Sequence, residues 1–410
     1  MSKNTLAYLL IRFPAVRETF VSQEILGLMK IGWNVQIFSL LTVPCQEVKM
    51  VLPESDQCHI LYARPCGFFE WQGTGFFLLK KMLRIAAIVL NIVRKNILRP
   101  MESLKLMGLL AKTIYIGFKI EKSPIQHLHV HFASYGAISA LWLQRMLGIS
   151  FSVTIHAYDL FKKNEFLEEI MEKAKGVVTI SDFNRQWIEK LFGKKYHQKV
   201  QVIRCGVDLK KFFFRKNDGL NRGRPFKILY VAGFVEKKGH ILLLDVLEKL
   251  KSQGRMIDCE LIGDGPLLSR MKGHAERLGI LDQVHFLGAR SHDEVRDRML
   301  QADCFVMPAI TDSAQSMDGI PVALMEAMAI GLPVIASRLS GIPELVIHGE
   351  TGLLVQPGER DDLVKQVLQV QDQGDIFFNI VRQGRKKIEQ EYDLDQNVFK
   401  MHQWFLKVLA

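Results

Sequence analysis

The chain reads as an α/β protein of two domains, each built on a buried parallel sheet. Three observations carry this. At 410 residues it is too long for one small core. Short apolar runs alternate with helix-length stretches, the β-α-β rhythm of a parallel sheet covered on both faces. Gly- and Pro-bearing turns recur just after those runs, where open α/β sheets bind ligands.

The first half opens with a strand over Leu6 to Ile11, a helix over Thr19 to Ile31 and a second strand over Asn34 to Leu40. Basic helices follow. Then come strand-like His127 to His131, a helix over Ser134 to Leu147, and apolar strands at Phe151 to Ile155, Val177 to Ile180 and Val200 to Ile203. The polar, basic stretch Arg215 to Arg224, with Gly219, Gly223 and then Pro225, is the linker candidate. It divides the chain into 1–218 and 219–392. The second half is more regular: strands at Lys227 to Ala232, Cys259 to Ile262, Val284 to Leu287, Cys304 to Met307 and Val334 to Ala336. Between them lie helices at Ile241 to Leu250, Leu267 to Leu278, Glu294 to Gln301 and Val322 to Ala329.

Composition narrows the function. Cys45, Cys58, Cys66, Cys205, Cys259 and Cys304 show no paired or metal-type spacing and read as reduced structural thiols of a cytoplasmic protein. Leu6 to Ile11 is too short for a signal core, and the most apolar stretch, Ile85 to Val93, is too short to span a bilayer. The net charge of +11 is concentrated: Phe76 to Lys122 holds ten Lys/Arg against Glu102 and Glu121. Lys81, Arg84, Asn91 and Arg94 fall at near-helical spacing beside a wide apolar face. This suits either a segment lying on an anionic membrane, at the inner face of the cytoplasmic membrane, or a solvated helix face. Few aromatics and no recognition motif accompany the basic stretch, so no nucleic-acid partner is expected. Oligomeric state is not readable.

The most informative run is Met317 to Ser337. Asp318 sits in a Gly/Pro-rich loop, Glu326 about two helical turns later, and Gly331-Leu332-Pro333 turns into an apolar strand. Pro321 fits a first helical turn, so the amides of Gly319, Ile320 and Val322 lie at a helix start suited to phosphate. Two carboxylates near such a start suit a polyhydroxyl ligand carrying a diphosphate. By itself the pair also reads as a helix cap and a surface glutamate. Upstream, Gly233 to Gly239 follows the first strand of the second half and carries Lys237 and Lys238. Gly263-Asp264-Gly265-Pro266 follows the next strand and allows close backbone approach. A third glycine of a dinucleotide fingerprint is missing there, which weakens a dehydrogenase reading. His285-Phe286-Leu287-Gly288 comes third. In the first half, His129 and His131 share one strand face, a metal pair lacking a visible third ligand, so no metal is assigned. His156 stands directly after a buried strand.

The acidic run resembles the E-x7-E element of the retaining family 4 glycosyltransferases, with Asp318 in place of the first glutamate. The loop at Gly233 resembles that family's Gly-Arg…Lys-Gly loop, with Lys238 matching the lysine and Phe234 standing where arginine is usual. Phe13-Pro14, Glu18-Thr19-Phe20 and His129 to Ala133 resemble the bacterial exopolysaccharide enzymes of colanic-acid type, and Arg204 to Asp208 their turn before the linker. The resemblance implies a GT-B fold, two Rossmann-like domains facing across a cleft, with Asp393 to Val408 crossing back to the first domain. It also implies transfer of a hexose-type sugar from a nucleoside diphosphate donor, UDP first, to a glycan or lipid-linked acceptor, with no cofactor. Lys238 and the amides of Gly319 to Val322 would hold the diphosphate. Glu326 would bind ribose, Asp318 the transferred sugar, and His156 the acceptor-side face. Gly233, Gly263, Asp264, Gly265, Pro266, Phe286 and Leu287 would border the nucleotide. A nucleotide-sugar epimerase, a phosphorylase and a non-catalytic scaffold are the alternatives.

Overall fold

The computed structural model describes residues 5–15, 18–44, 48, 60–63, 68–125, 127–161, 164–215, 224–373 and 377–410. Contacts group Met1–Ile180, Arg185–Ile203 and Val398–Ala410 as one unit, and Ser181–Asn184 with Arg204–Asn397 as the other. The division thus falls at Ile203 and Arg204, ahead of residue 218. Residues 216–223 of the expected linker Arg215 to Arg224, and Cys45, Cys58 and Cys66, lie outside the described residues.

The first unit holds seven strands: β1 (Thr5–Arg12), β2 (Asn34–Leu41), β3 (Ile60–Tyr62), β4 (His127–His131), β5 (Ser150–Ile155), β6 (Gly176–Thr179) and β7 (Val200–Val202). They form one parallel sheet in the order β3-β2-β1-β4-β5-β6-β7. The second unit holds β8 (Phe226–Val231), β9 (Ile257–Ile262), β10 (Val284–Gly288), β11 (Cys304–Met307), β12 (Val334–Ser337) and β13 (Leu353–Val355). Its parallel order is β10-β9-β8-β11-β12-β13. In both, the strand order reverses beside the first strand, between β1 and β4 and between β8 and β11. Neighbouring crossovers leave in opposite directions there, so the carboxyl ends open a crevice for ligand.

Each sheet is buried, and apart from a polar ladder on β4 and β5 its strands are mostly apolar. Leu6, Ala7, Leu9, Val130 and Val153 fill the first core; Ile228, Leu229, Phe305 and Ile335 fill the second. Cys259 and Cys304 are free thiols in the second core, and burial pushes both thiols well up from their ordinary value. Helix Leu394–Leu409 begins within the second unit and continues in the first, where Phe405 is fully buried against Trp33 and His129. No described helix is long and apolar enough to cross a membrane.

Candidate active site

In the second unit, the reversal point brings together the loops after β8 and β11. Lys238 ends a short 3-10 turn, Glu236–Lys238, and Gly239 follows with φ +71°. A Cβ at Gly239 would overlap the Pro308 carbonyl, so only glycine lets the two loops approach this closely. The Ile310 amide donates to the Lys237 carbonyl at 2.9 Å, stitching the loops together. Lys238 Nζ then donates to Asp318 Oδ2, and Lys237 Nζ lies 3.5 Å from Oδ1. Burial alone would raise the Asp318 carboxyl, but the two ammonium groups outweigh it and hold it below its ordinary value. Asp318 is an ionised acceptor locked to the lysines expected to meet phosphate.

Helix Val322–Ile330 starts four residues on, with Pro321 as its N-cap rather than in its first turn. The amides of Gly319, Ile320 and Val322 have no hydrogen-bond partner among the described residues. Asp318 is therefore not a helix cap, and Glu326 is no surface residue. Glu326 is buried in a helix that is apolar almost all round, and His292 Nε2 lies 2.6 Å from its Oε1. Burial would lower the His292 imidazole, but Glu326 outweighs burial and raises it. The two acids thus have separate basic partners. Sequence reasoning missed His292, because the pair is tertiary; the visible signal was the Ser291 and Glu294 capping box that fixes the start of helix His292–Gln301.

Phe234, in the arginine's place, does not face a ligand. Its ring is fully buried, stacked on His240 with centroids 4.2 Å apart. The turn after β9 explains why. Gly263 has φ +145°, and a Cβ there would overlap the Ala232 carbonyl. Gly265 presses against the Phe234 backbone, and the Phe234 amide donates to the Asp264 carbonyl at 3.1 Å. Gly233 and the Gly263 to Pro266 turn are thus one packed unit. Phe286 and Leu287 line an open depression of about 760 Å³ with Lys272, Glu276 and His285; Lys238, Asp318 and Glu326 do not line it.

In the first unit, β4 and β5 carry a polar ladder inside a buried sheet. The register pairs His127 with Ser150, His129 with Ser152 and His131 with Thr154. His127 bonds Ser150 and Ser152, both at 2.8 Å; His129 bonds Ser152 at 2.8 Å and Thr154 at 3.0 Å. Burial drops His127 to about 4 and His129 well below its ordinary value, so both are neutral. Beyond the ladder runs a relay. The Tyr8 hydroxyl donates to Glu24 Oε1 at 2.6 Å, His131 Nε2 lies 3.1 Å from the same oxygen, and His131 Nδ1 meets His156 Nε2 at 3.2 Å.

His156 is held further by Phe132 and Phe20, with ring centroids 4.4 and 5.0 Å away. Asp159 Oδ2 accepts the His156 backbone N–H at 2.9 Å, while burial pushes the Asp159 carboxyl up to about 7. Burial also keeps His156 neutral. Glu24 supplies the third donor missing beside His129 and His131, the three ligand atoms lying within 4.8 Å of one another. The histidine nitrogens concerned already have protein hydrogen-bond partners, so the cluster reads as a network.

Two parallel-sheet, Rossmann-like domains with charged groups at the second reversal point define a protein of the GT-B class. The comparisons narrow this. Residues 18–211 match the model "Glycosyltransferase Family 4", and residues 212–387 match "Glycosyl transferases group 1". The chain is 28% identical over 407 residues to the amylovoran biosynthesis glycosyltransferase AmsK of Erwinia amylovora, covering 95% of this chain and 96% of that one. It is 28% identical to the putative colanic acid biosynthesis glycosyltransferase WcaL of Escherichia coli, covering 94% and 95%. Among solved structures, Anabaena Alr3699/HepE in complex with UDP superimposes with a TM-score of 0.70 at 14% identity, over 99% of this chain and all of that one. The chain belongs to the family 4 glycosyltransferases and is a glycosyltransferase.

Proposed function

We propose that the enzyme moves a hexose-type sugar, with retention, from a nucleoside diphosphate donor to a glycan or lipid-linked acceptor of a bacterial surface polysaccharide. One observation carries the reading: Asp318 is pinned by Lys238 and Lys237 beside helix-start amides that have no partner among the described residues. Negative charge grows on the departing diphosphate, and fixed donors at that place lower its energy most. Lys238 and the amides take the diphosphate, Asp318 the transferred sugar, Glu326 the ribose, and His156 the acceptor side. UDP is the favoured nucleotide; its presence in the complex with Anabaena HepE supports this. The names of AmsK and WcaL support a surface polysaccharide as product. In this proposal the enzyme acts in the cytoplasm, at the inner face of the membrane, with anionic lipid met through 76–122.

The test is turnover with labelled UDP-sugars and lipid-linked acceptors. Asp318→Asn and Glu326→Gln should each lower kcat about a hundredfold while near-ultraviolet circular dichroism stays unchanged. Transfer at the unmutated rate in both would remove the assignment.

A further inference from the structure

The surface most in need of explanation is a run of helices in the first unit. Helix Phe68–Lys80 packs on helix Pro100–Glu121, and so does helix Met82–Lys95, which also touches helix Tyr135–Leu147. Helix Met82–Lys95 buries Ile88 and Ile92 on one arc. The opposite arc should be polar in a helix that faces water. It carries instead Met82, Leu83, Leu90 and Val93, all exposed, with Arg94 as the charge among them. The turn that follows exposes Ile97 and Leu98, at 75% and 91% of their full area. Met101 and Leu104 continue the pattern on the next helix, and Phe76 and Leu79 precede it. So many large apolar side chains in one short stretch exceed the scattered exposure of an ordinary surface.

The basic residues of the same segment are mostly tied to the protein. Lys80 and Lys81 lie 3.1 and 3.3 Å from Glu121, and Arg84 donates to the Met146 carbonyl at 2.7 Å. Lys95 pairs with Glu169 at 3.0 Å. Attraction to anionic lipid is therefore a weaker contribution than the charge count implies, and the exposed apolar arc is the larger one.

Resting on the membrane reading above, we propose that Phe76 to Met107 enters the boundary between headgroups and acyl chains, with Leu83, Leu90, Ile97 and Leu98 below the phosphates. The occupant is a lipid leaflet rather than a second copy of the chain. Ten Lys/Arg against two acids give the segment from Phe76 to Lys122 an excess of positive charge. It stays positive when Glu165 and Glu169, paired with Arg99 and Lys95, are counted with it. Two copies would therefore meet with like sign, whereas anionic headgroups complement it. Arg94, exposed beside Val93, is placed to meet those headgroups.

The experiment is flotation of the full chain with phosphatidylethanolamine/phosphatidylglycerol vesicles at low and high salt, beside sedimentation velocity without lipid. The wild type should float at both salts. Leu83→Ser/Leu90→Ser/Ile97→Ser should lose flotation by at least about tenfold while keeping its unfolding midpoint, because all three side chains are already in water. Arg94→Gln should lose a few-fold at low salt only. Flotation abolished by salt, with the triple variant floating like wild type, would overturn insertion and leave surface adsorption standing. No flotation under any condition would overturn both insertion and the membrane reading. Self-association that the triple variant abolishes would make the arc an interface between copies and overturn the proposal.

Discussion

Phe234 shows how one side chain separates a sequence motif from its use. By motif it occupies the place of a phosphate-binding arginine; by structure it is a fully buried ring on His240. Restoring the arginine should therefore not improve donor binding. Phe234→Arg buries an unpaired guanidinium and should destabilise the fold by about 3 kcal/mol or more, measured by urea unfolding. An unchanged midpoint with tighter donor binding would contradict the packing account. His292 supports a second prediction. Glu326 raises its folded-state value above the ordinary 6.5, so the folded chain holds that proton more tightly than the unfolded chain. The resulting stability is complete below pH 6.5 and is lost as pH rises through the raised value. The difference in unfolding midpoint between wild type and His292→Asn should thus be largest in mild acid and shrink above neutrality. A difference independent of pH would show that the pair carries no charge.

At the scale of elements, the apolar strands were legible because a buried parallel strand has no polar face to hide it. Cys304–Met307 falls where its apolar run does, and most other strands differ by one or two residues. The short β3 and β13 and the helices Arg360–Asp372 and Phe377–Glu391 were not assigned; three-residue strands carry too little periodicity. The motifs after β8 and β9 were legible as glycine turns, since φ +71° and +145° at Gly239 and Gly263 demand that residue. The partners His292 and Glu24 were not, nor was the contact of His131 with His156, because tertiary pairs leave no spacing. A faint signal existed: alternating His on β4 and Ser/Thr on β5 match position for position. The resemblance implies that Asp393 to Val408 crosses back to the first domain; in helix Leu394–Leu409, Phe405 is fully buried, with its ring 5.0 Å from that of His129. Phe405→Ala should cost about 3–5 kcal/mol in chemical unfolding. A loss below 1 kcal/mol would mean the helix is only loosely docked.

For the whole molecule, the fold alone does not specify an activity; the family and the charged reversal point do. The lysines beside Asp318 should engage a diphosphate, and ligand bound only by the native state raises the unfolding midpoint by mass action. The most direct measurement is the midpoint of wild type and of Lys238→Ala across a panel of UDP- and GDP-sugars. The account predicts that at least one UDP-sugar raises the wild-type midpoint and that Lys238→Ala loses most of that rise. A wild type unmoved by every nucleotide sugar, or a variant shifted as far as wild type, would contradict it.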